Sequence, residues 1–341
     1  MNKLKMATSR VLQSDIEYFF EQFMYGGREL LLHHIRKEYK NFPANSFLKA
    51  GLSHGWGPDE QLWKLRNRNL TRAPRYVWNE RFARFGSNSN RSRATGAPWI
   101  YLLESLGIKP GMKVSNRKIN PDRPNLLMLT HNVESTNKRI DLQAEFFDAL
   151  CDGSRSVVCL YWLDFCNTKI RESYERLGFK VVCAGYPHKF NIQYQKHPGR
   201  ADFLPNVLEI MSRHQTYFTD ECTTSLFYAA SLGMKVELHV DDVALEFQNN
   251  WKNFYNGDGV EFFNSGNDWL IKYFPSLLNN SHSDKSLNEF AWLELGLNSK
   301  LTASELKDLK WCLNKNILGT QLSTLESRLD EIESELVLSV L

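Results

Sequence analysis

Over residues 14–39 the apolar positions Ile16, Phe19, Phe20, Phe23, Leu30 and Leu31 recur at helical spacing, and Gly26-Gly27 interrupts them. The pattern predicts two helices or one kinked helix. Residues 46–52 and 75–78 are short apolar runs expected as strands, the second leading into a helix over 80–85. The chain then turns polar and rich in Asn and Ser between Arg84 and Arg93, which reads as a loop, before a further helix over 97–106.

From 107 to 124 the composition shifts to Lys, Arg, Asn, Pro and Gly, with little that could be buried, so the interdomain linker is expected there. This divides the chain into 1–118 and 119–341. Beyond the linker the rhythm is regular. Strands are expected at 125–130, 156–162, 179–184, 216–219 and 235–240, and helices at 141–150, 168–177, 202–211 and 224–232. Strand alternating with helix at this spacing means a parallel sheet with helices on both faces, whose ligands bind outside the carboxyl ends of the strands. His131 and Glu134, then Asp164, then Tyr186 and His188, then Asp220 and Glu221 fall at those ends. The tail predicts helices at 289–295, 304–313 and 322–338, with Thr302 and Glu305 at capping-box spacing. The stripe Leu322, Leu325, Leu329, Ile332, Leu336 is too short for a coiled coil, and a helix packed on the body is expected there.

With 341 residues and 42% hydrophobic content, the chain is long enough for two cores. A net charge of +3 from nearly balanced totals gives no global field for nucleic acid. The six cysteines show no Cys-x-x-Cys spacing and no metal quartet, and read as thiols of a reducing compartment. The amino-terminal residues lack the apolar core of a signal peptide, and no run of about 18 apolar residues occurs. A soluble cytoplasmic protein is expected.

The chemistry concentrates at residues 218–238, a strand, a hydroxyl-rich turn, an amphipathic helix, a glycine stop and a second strand. Thr223, Thr224 and Ser225 fall where the helix begins, so their hydroxyls and the unpaired amides of its first turn can serve one anion. The same residues are also the preferred caps of any helix.

This segment resembles the nucleotide-binding strand, turn and helix of GT-B glycosyltransferases, and in particular the Thr-Asp-x-Ser-Ser-x-x-Phe-x-x-Ala-x-x-x-Gly-x-x-Val pattern of capsule and teichoic-acid polymer transferases. Here it reads Thr219-Asp220, Thr223-Thr224, Phe227, Ala230, Gly233 and Val236, with the spacing off by one residue in two places. Ser53-His54-Gly55-Trp56-Gly57-Pro58 resembles the His-Gly-x-x-Pro loop of the same enzymes, and Gly96-Ala97-Pro98 their Gly-Ala-Pro segment. His197-Pro198 resembles the His-Pro element with which CMP-sugar transferases hold a phosphate, although it follows a polar stretch instead of a strand.

The resemblance implies two Rossmann-like α/β domains facing a cleft, and transfer of a sugar or polyol phosphate from a nucleotide-activated donor to a surface-polysaccharide acceptor, a glycan or a lipid-linked one. The nucleotide sugar is then a co-substrate, and no cofactor or metal is expected. A lipid-linked acceptor would bring the chain to the inner face of the membrane as a peripheral protein. The resemblance implies His54 as the base; Asp59 or Glu80 could do the same job, and His131, which follows a strand in Thr-His-Asn-Val-Glu-Ser, is the second candidate catalytic residue, suited to contacting a donor phosphate or sugar. Donor binding falls to Tyr186, His188, His197, Glu221, Thr223, Thr224 and Ser225, with charge from Arg84, Arg91, Arg93 or Lys196. Two rivals stand beside this reading: a sugar-nucleotide epimerase on the same fold, and a non-catalytic scaffold that has kept it.

Overall fold

The computed structural model describes residues 24–53, 55–56, 75–84, 92–112, 119–129, 137–185, 202–239, 258–274 and 285–313. Helix α1 (Gly27–Glu38) follows a short 3-10 turn, Met24–Gly26, with the break at the glycine pair that the sequence marked. Strands β1 (Ser46–Leu48) and β2 (Gly51–Leu52) come next, then β3 (Arg75–Val77), α2 (Glu80–Arg84), β4 (Ser92–Ala94) and α3 (Pro98–Ser105). Strands β2, β3 and β4 form a parallel sheet in that order. Two expectations change here. The single strand at 46–52 is two strands in different sheets, and the polar stretch ending at Arg93 carries β4, which pairs with β3 at Ser92, Arg93 and Ala94. Pairing supplied by a neighbouring strand overrides the low strand propensity of that stretch.

The second half holds β5 (Asn125–Leu127), α4 (Asn137–Cys151), β6 (Ser156–Cys159), α5 (Trp162–Cys166), α6 (Thr168–Glu175), β7 (Lys180–Val182), α7 (Phe203–Ser212), β8 (Thr216–Thr219), α8 (Thr224–Ser231) and β9 (Lys235–Leu238). Its five strands are all parallel, in the order β7-β6-β5-β8-β9. Side chains alternate across this sheet. Leu127, Val158 and Phe218 meet Ala144, Phe147 and Tyr174 from α4 and α6 on one face. Leu126, Val157 and Tyr217 meet Leu208, Phe227 and Leu287 on the other. The expected parallel α/β architecture is therefore present, with helices on both faces of this sheet. The strand expected at 156–162 stops at Cys159, and Trp162 begins α5.

Three helices and a strand complete the described chain: α9 (Asp258–Tyr273), which the sequence pattern had not revealed, α10 (Lys285–Glu294), α11 (Ala303–Lys307) and β10 (Trp311–Leu313). The helix expected over 304–313 ends at Lys307, because Trp311, Cys312 and Leu313 pair antiparallel with Leu48, Phe47 and Ser46. The capping box is present: Thr302 Oγ1 accepts the Glu305 amide at 3.2 Å while the Glu305 carboxylate accepts the Thr302 amide at 2.8 Å. The leucine stripe at 322–336 lies outside the described residues.

The carboxyl-terminal elements run back along the first half. The Ala97 amide donates to the Leu295 carbonyl at 2.8 Å, and Asn79 Nδ2 donates to the Glu294 carbonyl at 2.8 Å. Gly296 takes φ +85°, and a Cβ there would lie 1.8 Å from the Trp78 carbonyl oxygen, so only glycine admits this close pass. Trp99 of α3 stacks on Tyr228 of α8 at 4.2 Å, and its indole N–H donates to Ser231 Oγ at 3.0 Å. One cluster of buried residues thus runs from Leu30, Val77 and Trp99 through Leu226 and Phe227 to Ala291 and Trp292.

Candidate functional site

The order of the five-stranded sheet reverses between β5 and β8, and ligands of open parallel sheets collect outside the carboxyl ends at such a point. The chain leaving β8 makes a tight turn there. Thr219 Oγ1 accepts the Glu221 amide at 3.3 Å and donates to the Glu221 carbonyl at 3.0 Å, and the Cys222 amide donates to Asn267 Oδ1 of α9 at 2.7 Å. Helix α8 starts immediately after it, with Thr223 as an extended N-cap that makes no side-chain cap bond. Gly233, at φ 72°, follows its carboxyl end, where the sequence expects the stop.

The amides of Thr223, Thr224 and Ser225 have no acceptor among the described residues. All three residues are half-buried. Their hydroxyls do not all aim outward, however. Ser225 Oγ lies 2.8 Å from Thr223 Oγ1 and 2.7 Å from the Tyr217 hydroxyl, making an inward-running chain. Burial pushes the Tyr217 phenol above its ordinary range, and either hydroxyl of the Tyr217–Ser225 pair can be the donor. Thr224 Oγ1 accepts the backbone amide of Trp56 at 3.0 Å.

That last bond brings the His-Gly loop to the amino end of α8. Trp56 is fixed on every side: its indole N–H donates to Glu294 Oε2 at 2.9 Å, and its ring lies 4.8 Å from Phe227 and 5.1 Å from Trp269. Arg81 pairs with Glu294 and lies over the rings of Trp56, Phe82 and Trp269. The other end of the loop is pinned as well, the Ser53 amide donating to Tyr76 at 2.8 Å and the Ser53 carbonyl accepting the Trp78 indole N–H at 2.8 Å. His54 itself lies outside the described residues, as do His131, Tyr186, His188 and His197. Of the residues expected to serve the site, the structure brings Thr223, Thr224, Ser225 and Glu221 together.

Two carboxylates join them. Asp220 and Glu221 are both buried directly after β8. Asp220 Oδ2 accepts Gln143 Nε2 at 2.9 Å, and Gln143 Oε1 in turn accepts the Tyr174 hydroxyl at 3.0 Å, which sets the orientation of the carboxylate from the α4–α6 layer. Beside them, burial and the Glu221 charge hold the Cys222 thiol well above its usual range. Among the described residues no group of three or more His, Cys, Asp or Glu could hold a metal ion, and no helix is long and apolar enough to cross a membrane.

Sequence reasoning missed Arg81, Glu294, Asn267, Trp269 and Tyr217. Trp56 stood in the quoted loop motif and was not assigned a role. Nothing local marks Glu294, which sits in an ordinary amphipathic helix and meets Trp56 only through the return of the chain.

No family model matches the chain, and neither does any curated protein. Among solved structures it is similar to the S. aureus MnaA-UDP co-structure, at 14% identity over 76% of this chain and 81% of that one, with a TM-score of 0.31. It is also similar to UDP-GlcNAc 2-epimerase from Neisseria meningitidis bound to UDP-GlcNAc, at 12% identity over 73% and 81%, with a TM-score of 0.28. Similarity this loose assigns neither a family nor an activity.

Proposed function

We propose that this protein acts on a nucleotide-activated sugar, moving the sugar or a polyol phosphate to a hydroxyl of a glycan or lipid-linked acceptor, with no metal in the chemical step. The reading takes the chain as two α/β units of GT-B type, 1–118 and 119–341. The observation that carries it is the edge of Thr223, Thr224 and Ser225 amides, without an acceptor among the described residues, at the reversal of strand order, with Trp56 hydrogen-bonded to the same helix end. A departing nucleoside diphosphate gains negative charge as the sugar leaves. Fixed amides and a helix dipole aimed at that charge stabilise it without reorganisation. The Trp56 amide bonds to that end, and in this reading His54, two residues earlier in the sequence, is the base that meets an acceptor hydroxyl. Glu221, His131, Tyr186, His188 and His197 serve the donor in this reading.

Asp220 and Glu221 favour a second reading. Two buried carboxylates at one strand end suit proton abstraction and return on the sugar ring, the chemistry of an epimerase acting on the same nucleotide sugar. The transferase releases free nucleotide only when acceptor is present. The epimerase interconverts donors with no acceptor at all.

The test is thermal unfolding against CMP, CDP, UDP, GDP and their sugars. A nucleotide at 100 times its Kd stabilises by about 2.7 kcal/mol. Thr223→Val should diminish that gain. If no nucleotide raises the melting temperature at millimolar concentration, the reading fails.

A further inference from the structure

We propose that the aromatic ledge formed by Trp269, Tyr273 and Phe290 is a saccharide-binding surface, the place where a sugar ring of the acceptor stacks. The side chains come from α9 and α10. Tyr273 and Phe290 stack with ring centroids 5.9 Å apart and 26° between their planes, and Trp269 lies 5.1 Å from the first and 5.4 Å from the second. Tyr273 is 54% exposed. More than half of Tyr273 is therefore left to solvent beside Phe290 and Trp269.

Three features select a sugar as the occupant. The ledge offers the exposed ring of Tyr273, held in place by Trp269 and Phe290, and a flat aromatic ring suits the axial C–H bonds of a pyranose. Ionisable side chains of both signs, Asp268, Lys272 and Glu289, are exposed on the same two helices, where they can hydrogen-bond sugar hydroxyls. That balance of charge gives no attraction for an anionic membrane surface, which would need a basic cluster. The ledge is also continuous with the candidate site. Trp269 packs on Trp56 at 5.1 Å, and the Trp56 amide reaches Thr224 at the amino end of α8. The ledge is thereby joined through Trp269 and Trp56 to the helix end at which the nucleotide is read.

Its role as an acceptor surface rests on the nucleotide-sugar reading, whereas carbohydrate binding at the ledge does not. The experiment is saturation-transfer NMR on the full chain with chitotriose, maltotriose and dextran as probes, without nucleotide. Transfer to sugar ring protons is expected, with Tyr273→Ser weakening binding about threefold to tenfold, the value of one aromatic stacking contact. Tyr273 is a surface residue, and an unchanged melting temperature establishes that the variant is folded. The assay contains no nucleotide, so failure of the nucleotide site leaves the transfer intact and is distinguishable from failure of the ledge. Absence of transfer from all three probes, or equal transfer in Tyr273→Ser, overturns the proposal. So does finding that Tyr273→Ser instead abolishes self-association in sedimentation or binding to phosphatidylglycerol vesicles.

Discussion

Replacing Trp56 by Phe tests the contact that brings the His-Gly loop to α8. The substitution keeps a ring against Phe227 and Trp269 and keeps the backbone amide that Thr224 accepts, but removes the indole N–H that Glu294 Oε2 accepts at 2.9 Å. The Glu294 side chain is 11% exposed, so water does not replace the lost donor freely. Loss of a hydrogen bond to a charged group costs about 1.5–3 kcal/mol. The smaller ring leaves a void that adds about 24 cal/mol per Å³. Urea unfolding followed by far-ultraviolet circular dichroism reads the sum, since a tryptophan is being removed and fluorescence would be confounded. A double-mutant cycle with Glu294→Ala isolates the pair, and a coupling of about 1–3 kcal/mol is expected. Additivity within about 0.5 kcal/mol would refute the reasoning and leave Trp56 as packing alone.

The remaining expectations use other parts of the molecule. Gly296→Ala places a Cβ 1.8 Å from the Trp78 carbonyl oxygen and forces a left-handed conformation that costs about 1–2 kcal/mol before any clash is counted; a wild-type melting temperature would contradict it. Burial lowers His214 from 6.5 to about 4. Between those values the unfolded chain takes a proton that the folded chain refuses, so this contribution is complete above pH 6.5 and about 3 kcal/mol is lost as pH falls to 4. His214→Gln should flatten that part of the pH dependence of the urea midpoint, and an unchanged slope would exclude the residue. Thr223→Val keeps the backbone amide and removes only the hydroxyl; if that hydroxyl also meets the phosphate, nucleotide binding weakens about tenfold to a hundredfold in calorimetry, the equivalent of about 1.5–3 kcal/mol, and equal affinity would exclude the Thr223 hydroxyl as a phosphate contact.

Much of the second half was legible in the sequence because its elements are local and regular. The alternation Tyr217 inward to one layer, Phe218 to the other, was set by the two-residue period of a strand. The glycine pair at the start of α1, the Gly233 stop and the Thr302 capping box are each encoded within a few neighbouring residues, and each is observed. The hydroxyl run Thr223-Thr224-Ser225 at a helix start was equally legible.

The rest depended on residues far apart in the chain. Whether residues 46–52 made one strand or two was decided by β10, more than 250 positions later, which pairs with Ser46–Leu48 only. The division of the three hydroxyls was not readable either: Ser225 turned to Tyr217 and Thr224 to Trp56, because those partners arrive from β8 and from the first sheet. Sequence alone determined local conformation, through backbone sterics, capping and the periodicity of apolar side chains. Tertiary structure decided which polar groups meet, since the hydrogen bond from Trp56 to Glu294 exists only once the chain has returned across both sheets and excluded water from the pair.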